Sequence, residues 1–257
     1  MAAPTMLRVV EREARVFRRL WRGSVFSSFV TPVLFLAAIG LGLGGLVDER
    51  NTDVEGLSYL VFVAPGLLAA GAMQSSAGDS LWPIMAGAKW LRTYHAMVAT
   101  PVSAADVFGG HLVWTAVRTA LSAGAFLLVA TLLGGVPSAW GVLAVPFAML
   151  GGAAFAAPLS AFAATQETDI TFPVILRLGI VPLFLFSGTF FPIAQLPDGL
   201  QPLARLSPLW HAAELCRAAT TGTLAWGSTV GHVLVLAGFV AVGAWFGTRT
   251  FTRRLAA

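Results

Sequence analysis

Lysine is nearly missing from this chain. Of 257 residues only Lys89 is a lysine, and Ala88 and Trp90 flank it. A phosphate-cradling loop of the Gly-x-x-x-x-Gly-Lys-Ser/Thr type is therefore excluded, because that loop needs the lysine against the nucleotide phosphates. Cysteine is as scarce: Cys216 stands alone, so no internal disulfide framework exists. The four histidines, at 95, 111, 211 and 232, show no metal-ligand pairing at helical spacing, and no Gly-x-Ser-x-Gly turn occurs. Nothing here reads as a site for covalent chemistry, and the chain is expected to be no enzyme. Charge is short too. Charged residues make up 11% of the chain, where a soluble domain carries about 25% to cover its surface.

What is present is apolar. Hydrophobic residues are 57% of the chain and the mean hydropathy is +0.79. The apolar runs reach the roughly 20 residues that a helix needs to cross a bilayer. Helices are the expected spanning form, because backbone groups in lipid must pair within their own segment. The ten-residue alternation of a membrane barrel is absent. The pattern predicts an all-α integral membrane protein forming one domain over 1–257, with six spans at about 25–47, 57–78, 106–134, 140–163, 172–191 and 228–248. About 24 polar-rich residues precede the first run, which is not the layout of a cleavable signal peptide. Between the last two spans Pro192, Pro197, Pro202 and Pro208 divide an otherwise apolar stretch. That composition predicts short re-entrant helices on one membrane face over 193–219, tolerated only where protein or water covers the backbone.

The net charge of +4 and the pI near 10.2 do not point to nucleic acid, because the basic residues gather at the ends of apolar runs. There they set orientation. With the N-terminus in the cytoplasm, Arg8, Arg12, Arg15, Arg18, Arg19, Arg22, Lys89, Arg92, Arg177, Arg249, Arg253 and Arg254 lie inside, and only Arg50, Arg205 and Arg217 lie outside. Both termini are thus expected in the cytoplasm. Residues 5–22 are predicted to form an amphipathic interfacial helix: Arg8, Arg12, Arg15, Arg19 and Arg22 share one face, opposite Leu7, Val10, Ala14, Phe17 and Trp21. A plain topology anchor is the compatible alternative.

Three further features stand out. His111, Thr115, Arg118 and Ser122 fall on one face of the third span. An arginine there costs roughly 2.5–3.5 kcal/mol on insertion scales, so it either lines a substrate path or is neutralised by snorkelling or by Asp79. The segment 80–103 mixes aromatic and basic residues, with a short helix expected over about 84–98. Lys89, Trp90, Arg92, Tyr94 and His95 on it suit either docking to a partner or anchoring an ordinary interfacial loop. In the next inner loop Glu167 and Asp169 are expected to start the following helix, with pairing to Arg177 as the alternative. Glu214 and Arg217, three apart, read as a surface pair.

Two stretches carry a resemblance. One is Ala99-Thr100-Pro101-Val102-Ser103, entering the third span. The other is Phe186-Ser187-Gly188-Thr189-Phe190-Phe191-Pro192, then Leu196-Pro197, then Leu206-Ser207-Pro208-Leu209 with His211 and Arg217. In order and spacing they resemble the membrane subunits of type-2 ATP-binding cassette exporters, in the branch of the nodulation-factor and daunorubicin-resistance permeases. The chain departs from the pattern at Ala86–Leu91, where many relatives are richer in glutamate and arginine. The resemblance implies a bacterial inner-membrane permease that pairs with itself or a sister permease. It also implies two ATPase subunits that hold ATP and magnesium, with no cofactor bound by this chain. The 84–98 helix, with Lys89, Trp90, Arg92, Tyr94 and His95, would then couple to the ATPase. The N-terminal helix, with Arg12, Arg15, Phe17 and Arg19, would correspond to the family's connecting helix. An amphipathic drug, lipid or glycolipid would leave along a path lined by Gln74, Ser75, Arg118, Phe184, Ser187 and Phe190. Rival readings are a glycan exporter, an ion-gradient transporter, and a membrane assembly or sensor subunit. No span carries a carboxylate near its middle, which disfavours gradient coupling.

Overall fold

The structure is a computed structural model that describes residues 5–38, 42 and 56–256. The last part of the expected first span and Arg50 lie outside the described residues. What is described is helical: α1 (Thr5–Leu36), α2 (Tyr59–Asp79), α3 (Trp82–Met85, continued by the π-turn Ala86–Trp90), α4 (Thr93–Val98), α5 (Ala104–Leu132), α6 (Ala144–Ala163, entered through a 3-10 turn Ala139–Leu143), α7 (Thr171–Phe186), α8 (Gln201–Leu206), α9 (Pro208–Thr221) and α10 (Trp226–Leu255). Among the described residues four helices are long and apolar enough to cross a membrane: Tyr59–Trp90, Ala104–Leu132, Ala139–Ala163 and Trp226–Leu255. Thr171–Phe186, the fifth expected span, is shorter.

The expected in-plane helix over 5–22 is not a separate element. One helix runs from Thr5 to Leu36, and it follows α5 along its length. Thr5 Oγ1 donates to Asp106 at 2.8 Å, Phe17 meets Trp114 edge-on at 5.7 Å, and Leu36 packs in one cluster with Val129 and Ala130. The reason is local. Gly23 and Ser24 at the junction cost helix propensity of the order of 1 kcal/mol or less each, too little to break a helix whose neighbour supports it on both sides of that point. At 1.5 Å per residue α1 exceeds a hydrocarbon core of about 30 Å. Its arginine-rich first half and its apolar second half are continuous.

The chain alternates between two ends of the bundle. At the proximal end Thr5 meets the start of α5, and Arg254, near the end of α10, meets Glu167 in the loop after α6. The α3–α4 segment joins them there. At the distal end the Ser138 N–H donates to the Thr220 carbonyl at 3.0 Å, and Gly66 abuts Thr189. The short helices expected between the last two spans are present, and α9 is sunk among α2, α6 and α10, burying Leu209, Ala212, Leu215, Cys216 and Ala219. Arg217 is a correction to the surface-pair reading. It is 6% exposed, and it donates to the carbonyls of Phe62 at 3.3 Å and Gly188 at 2.8 Å, lies 4.1 Å over the Phe62 ring, and pairs with Glu214. Its guanidinium therefore ties α9 to α2 and to the turn that ends α7.

Helix contact rests on small residues. A Cβ on Gly243 of α10 would lie 2.6 Å from the Pro158 nitrogen of α6, and one on Gly152 would lie 2.5 Å from Ser76 Oγ of α2. Ser76 Oγ and Thr119 Oγ1 hydrogen-bond at 3.1 Å, joining α2 to α5 where α6 crosses closest. Lipid tails are as apolar as leucine, so association in a bilayer depends on such close packing and on polar links. We predict that Gly243→Val, whose clash is with backbone, destabilises the protein by about 1–3 kcal/mol. Gly238→Ala, at a site with nothing within 4 Å, should leave stability unchanged or slightly higher. Thermal unfolding of the purified protein in lipid nanodiscs checks both.

Candidate functional site

The entry to α5 shows how the proximal end is built. Ser103 Oγ accepts from the Asp106 N–H at 3.1 Å while the Asp106 carboxylate accepts from the Ser103 N–H at 3.0 Å, a reciprocal capping box worth about 1 kcal/mol. The Thr-Pro-Val-Ser run of the sequence is thus a turn and a cap. It sets where α4 ends and α5 begins.

Upstream, the helix expected over 84–98 is two pieces. The Leu91 N–H donates to the Ala86 carbonyl at 2.8 Å, the i→i+5 bond of a π-turn. Arg92 then adopts φ 49°, and this left-handed residue, at a cost of about 1–2 kcal/mol, turns the chain back into α4. The turn is held from inside. Tyr94 is 5% exposed and lies against Gly87, where a Cβ would sit 2.4 Å from its ring; it also stacks at 6.0 Å on Phe251 of α10. Burial pushes the Tyr94 hydroxyl above its ordinary pKa. Tyr94 is therefore a support beneath the segment. Trp90 and Leu91 face outward, 54% and 71% exposed, with Arg92 beside them.

A carboxylate fastens this segment to the rest. Glu167, expected to start α7 or to pair with Arg177, instead accepts from Lys89 Nζ at 2.9 Å and pairs with Arg254. Lys89 Nζ also reaches the Glu167 carbonyl at 2.5 Å. Asp169 does not cap α7 either: Ile170 occupies that position without a side-chain cap, and the Asp169 carboxylate accepts from Trp82 Nε1 at 3.2 Å. Trp82 also meets Phe172 edge-on at 5.6 Å. Hydrogen bonds from Arg254 and Lys89 hold the Glu167 carboxyl down to about 2. Around this tie lies an open groove of about 550 Å³ lined by Lys89, Arg92, His95, Arg253 and Arg254, with Glu167 as its one acid.

A second groove, about 200 Å³, runs between α1, α3, α4 and α5 and brings Arg12, Tyr94 and Arg118 together. Here Arg118 donates to Asp79 at 2.7 Å, which realises the pairing alternative, and it lines the groove as well. Of the other N-terminal residues, Arg15 pairs with Glu11 at 2.6 Å, Arg19 is exposed, and Phe17 packs on Trp114. The expected substrate lining is not brought together in the single chain. Gln74 and Ser75 are exposed on α2, while Phe184 and Phe190 meet each other at 5.0 Å near the distal end. Ser187 is 1% exposed and donates to Ser207 at 3.0 Å, a link within the distal segment.

The described residues thus form a bundle with four helices long and apolar enough to cross a membrane, and with an exposed aromatic and basic turn at one end. The ABC-2 type transporter family model matches residues 7–220, and the chain belongs to that family. It is similar to nodulation protein J of Rhizobium meliloti (strain 1021), 29% identical over 215 residues, covering 84% of this chain and 80% of that protein. It is 31% identical over 211 residues to nodulation protein J of Sinorhizobium fredii, covering 82% and 79%. It is 26% identical over 203 residues to the inner membrane transport permease YadH of Escherichia coli K12, covering 77% and 75%. Members of this family work with separate ATP-binding cassette ATPases and are not themselves catalytic.

Because the Glu167 carboxyl is depressed from 4.5 to about 2, the tie is complete above pH 4.5 and is lost as pH falls from there through about 2. Spin labels at Ala96→Cys and Thr252→Cys, in a Cys216→Ser background, should report a narrow distance near neutral pH that broadens across that acid window. Glu167→Gln should broaden it already at neutral pH.

Proposed function

We propose that this chain is the membrane permease of an ATP-driven exporter. Its proximal end would lie in the cytoplasm of a bacterium, and the chain would cross the inner membrane six times. The observation that carries the reading is the exposed Trp90–Leu91–Arg92 turn, supported from beneath by Tyr94 and tied through Glu167 to the last helix. Such a turn is built to receive force. It is stiff, because Tyr94 fills the space against Gly87 and Phe251. It is also connected, because displacing α3 pulls on the 164–169 loop and, through Arg254, on α10.

In this reading two copies, or this chain and a sister permease, pair in the membrane, and each receives an ATPase subunit that holds ATP and magnesium. Closure of the ATPases presses on the 82–98 segment and on the projecting first half of α1. The push reaches α5 through the capped turn and α10 through the Glu167 tie. An amphipathic compound, a drug, lipid or glycolipid, then leaves between the paired permeases, past Gln74 and Ser75 on the open face of α2 and past Phe184 and Phe190 toward the distal segment. Ser187 takes no part in that lining, since it is enclosed. The inner-membrane position is supported by the arginine asymmetry and by similarity to a protein named as an inner membrane transport permease.

The test is purification of the tagged chain from native membranes with whatever ATPase accompanies it. Trp90→Ala and Arg92→Glu should lower hydrolysis by the complex several-fold with unchanged membrane levels, because both side chains lie on the exposed turn. Tyr94→Phe should keep near-normal hydrolysis, since the ring and its packing remain. A chain that repeatedly purifies without an ATPase would overturn the reading.

A further inference from the structure

Two histidines far apart in sequence meet at the distal end. His211 on α9 and His232 on the second turn of α10 face each other with Nδ1 to Nδ1 at 2.7 Å. Their rings are 4.9 Å apart between centroids, and Trp210 lies edge-on to both, at 4.8 and 5.1 Å. Both are only partly buried, so the junction is open to small solutes. The carboxylate of Glu214, one turn further along α9, lies close enough to act on His232. The cation nearest to it is Arg217, its ion-pair partner.

We infer that this junction is a binding site for a divalent transition metal of the zinc, nickel or copper type. A hydrogen bond between two ring nitrogens places one proton where two lone pairs converge, and a metal ion can take the proton's place. With metal–nitrogen bonds of about 2.0–2.1 Å in tetrahedral geometry the two nitrogens stand about 3.3 Å apart. The rings must therefore separate by about 0.6 Å from their 2.7 Å spacing, a small rotation of half-exposed side chains. Imidazole nitrogen selects this class of metal, while magnesium and calcium prefer oxygen ligands. Among the described residues no group of three or more metal-binding side chains occurs, so solvent completes the coordination and binding is reversible. The ion would fasten α9 to α10. The export path of the proposed function runs toward the distal segment; if that segment closes it, the metal would hold the path shut.

The binding test does not depend on that last step or on an ATPase. The full-length protein, carrying a tag without histidine, is reconstituted in nanodiscs and dialysed against zinc or nickel ions. One ion per chain is expected near neutral pH, lost at mildly acid pH as protons compete. Binding should be lost in His211→Asn and in His232→Asn and kept in His95→Asn. Copper bound to the wild-type chain should show electron paramagnetic resonance coupling to two nitrogens, a reading that needs no variant to fold. Equal binding by the His211→Asn/His232→Asn double variant, no binding by the wild type, or coupling to a single nitrogen would each overturn the site. Inhibition of transport by zinc, absent in the double variant, would add the gating role. Binding without inhibition would leave the site standing and remove that role.

Discussion

Close approach of backbones is the constraint on which this structure depends. In a bilayer the apolar side chains that drive a soluble core gain little from leaving lipid for a neighbouring helix. What remains is contact at short range and polar links that lipid cannot replace. The chain answers with glycine at the crossings: Gly243 on the proline of α6, Gly152 against Ser76, Gly110 against Val9, Gly66 against the backbone of Thr189. The Tyr59–Trp90 stretch is the centre of this arrangement, with 72% of its most apolar part buried, against 17% for α10 at the periphery. A central helix must be narrow on several sides at once, which is why α2 is rich in glycine, alanine and serine.

The few charges inside the bundle work within that frame. Arg217 at the distal end and Arg118 nearer the proximal end are each held by partners, one by two backbone carbonyls and a carboxylate, the other by Asp79. Both join elements that sequence keeps apart, since Arg217 closes the distal segment onto α2 and Arg118 fastens the end of α2 to α5. Glu167 does the same outside the bundle. Its position between Lys89 and Arg254 joins three separate segments, α3, the loop after α6 and α10.

How much of this could be read in advance differs by feature. The apolar runs give α2, α5 and α6 to within a few residues, because a segment that must bury about 20 residues in lipid announces itself by composition. The proline-broken stretch after Phe191 is likewise recognisable as short helices. The 82–98 segment was partly legible: Trp90 and Arg92 are exposed as their composition suggests, but Tyr94 is not, and aromatic composition cannot say which ring points inward. Glu167 and Asp169 were misread as helix starters because local rules weigh only neighbours. Their true partners, Lys89, Arg254 and Trp82, are 78 to 87 residues away. Ser187 was misplaced for a related reason, as its partner Ser207 is decided by how the distal segment folds back.

By itself the sequence determined the class of molecule, the approximate limits of four long apolar helices, and the asymmetry of its arginines. These follow from transfer between water and lipid, which acts on each segment separately and so is written along the chain. Only the tertiary structure decided that α1 is a single helix travelling with α5, that Arg217 is enclosed, that Glu167 is shared between two cations, and that His211 and His232 touch. Each of those depends on which helices lie side by side. That is a pairwise property of the packed bundle, set by close contact at small residues, and no segment carries it alone.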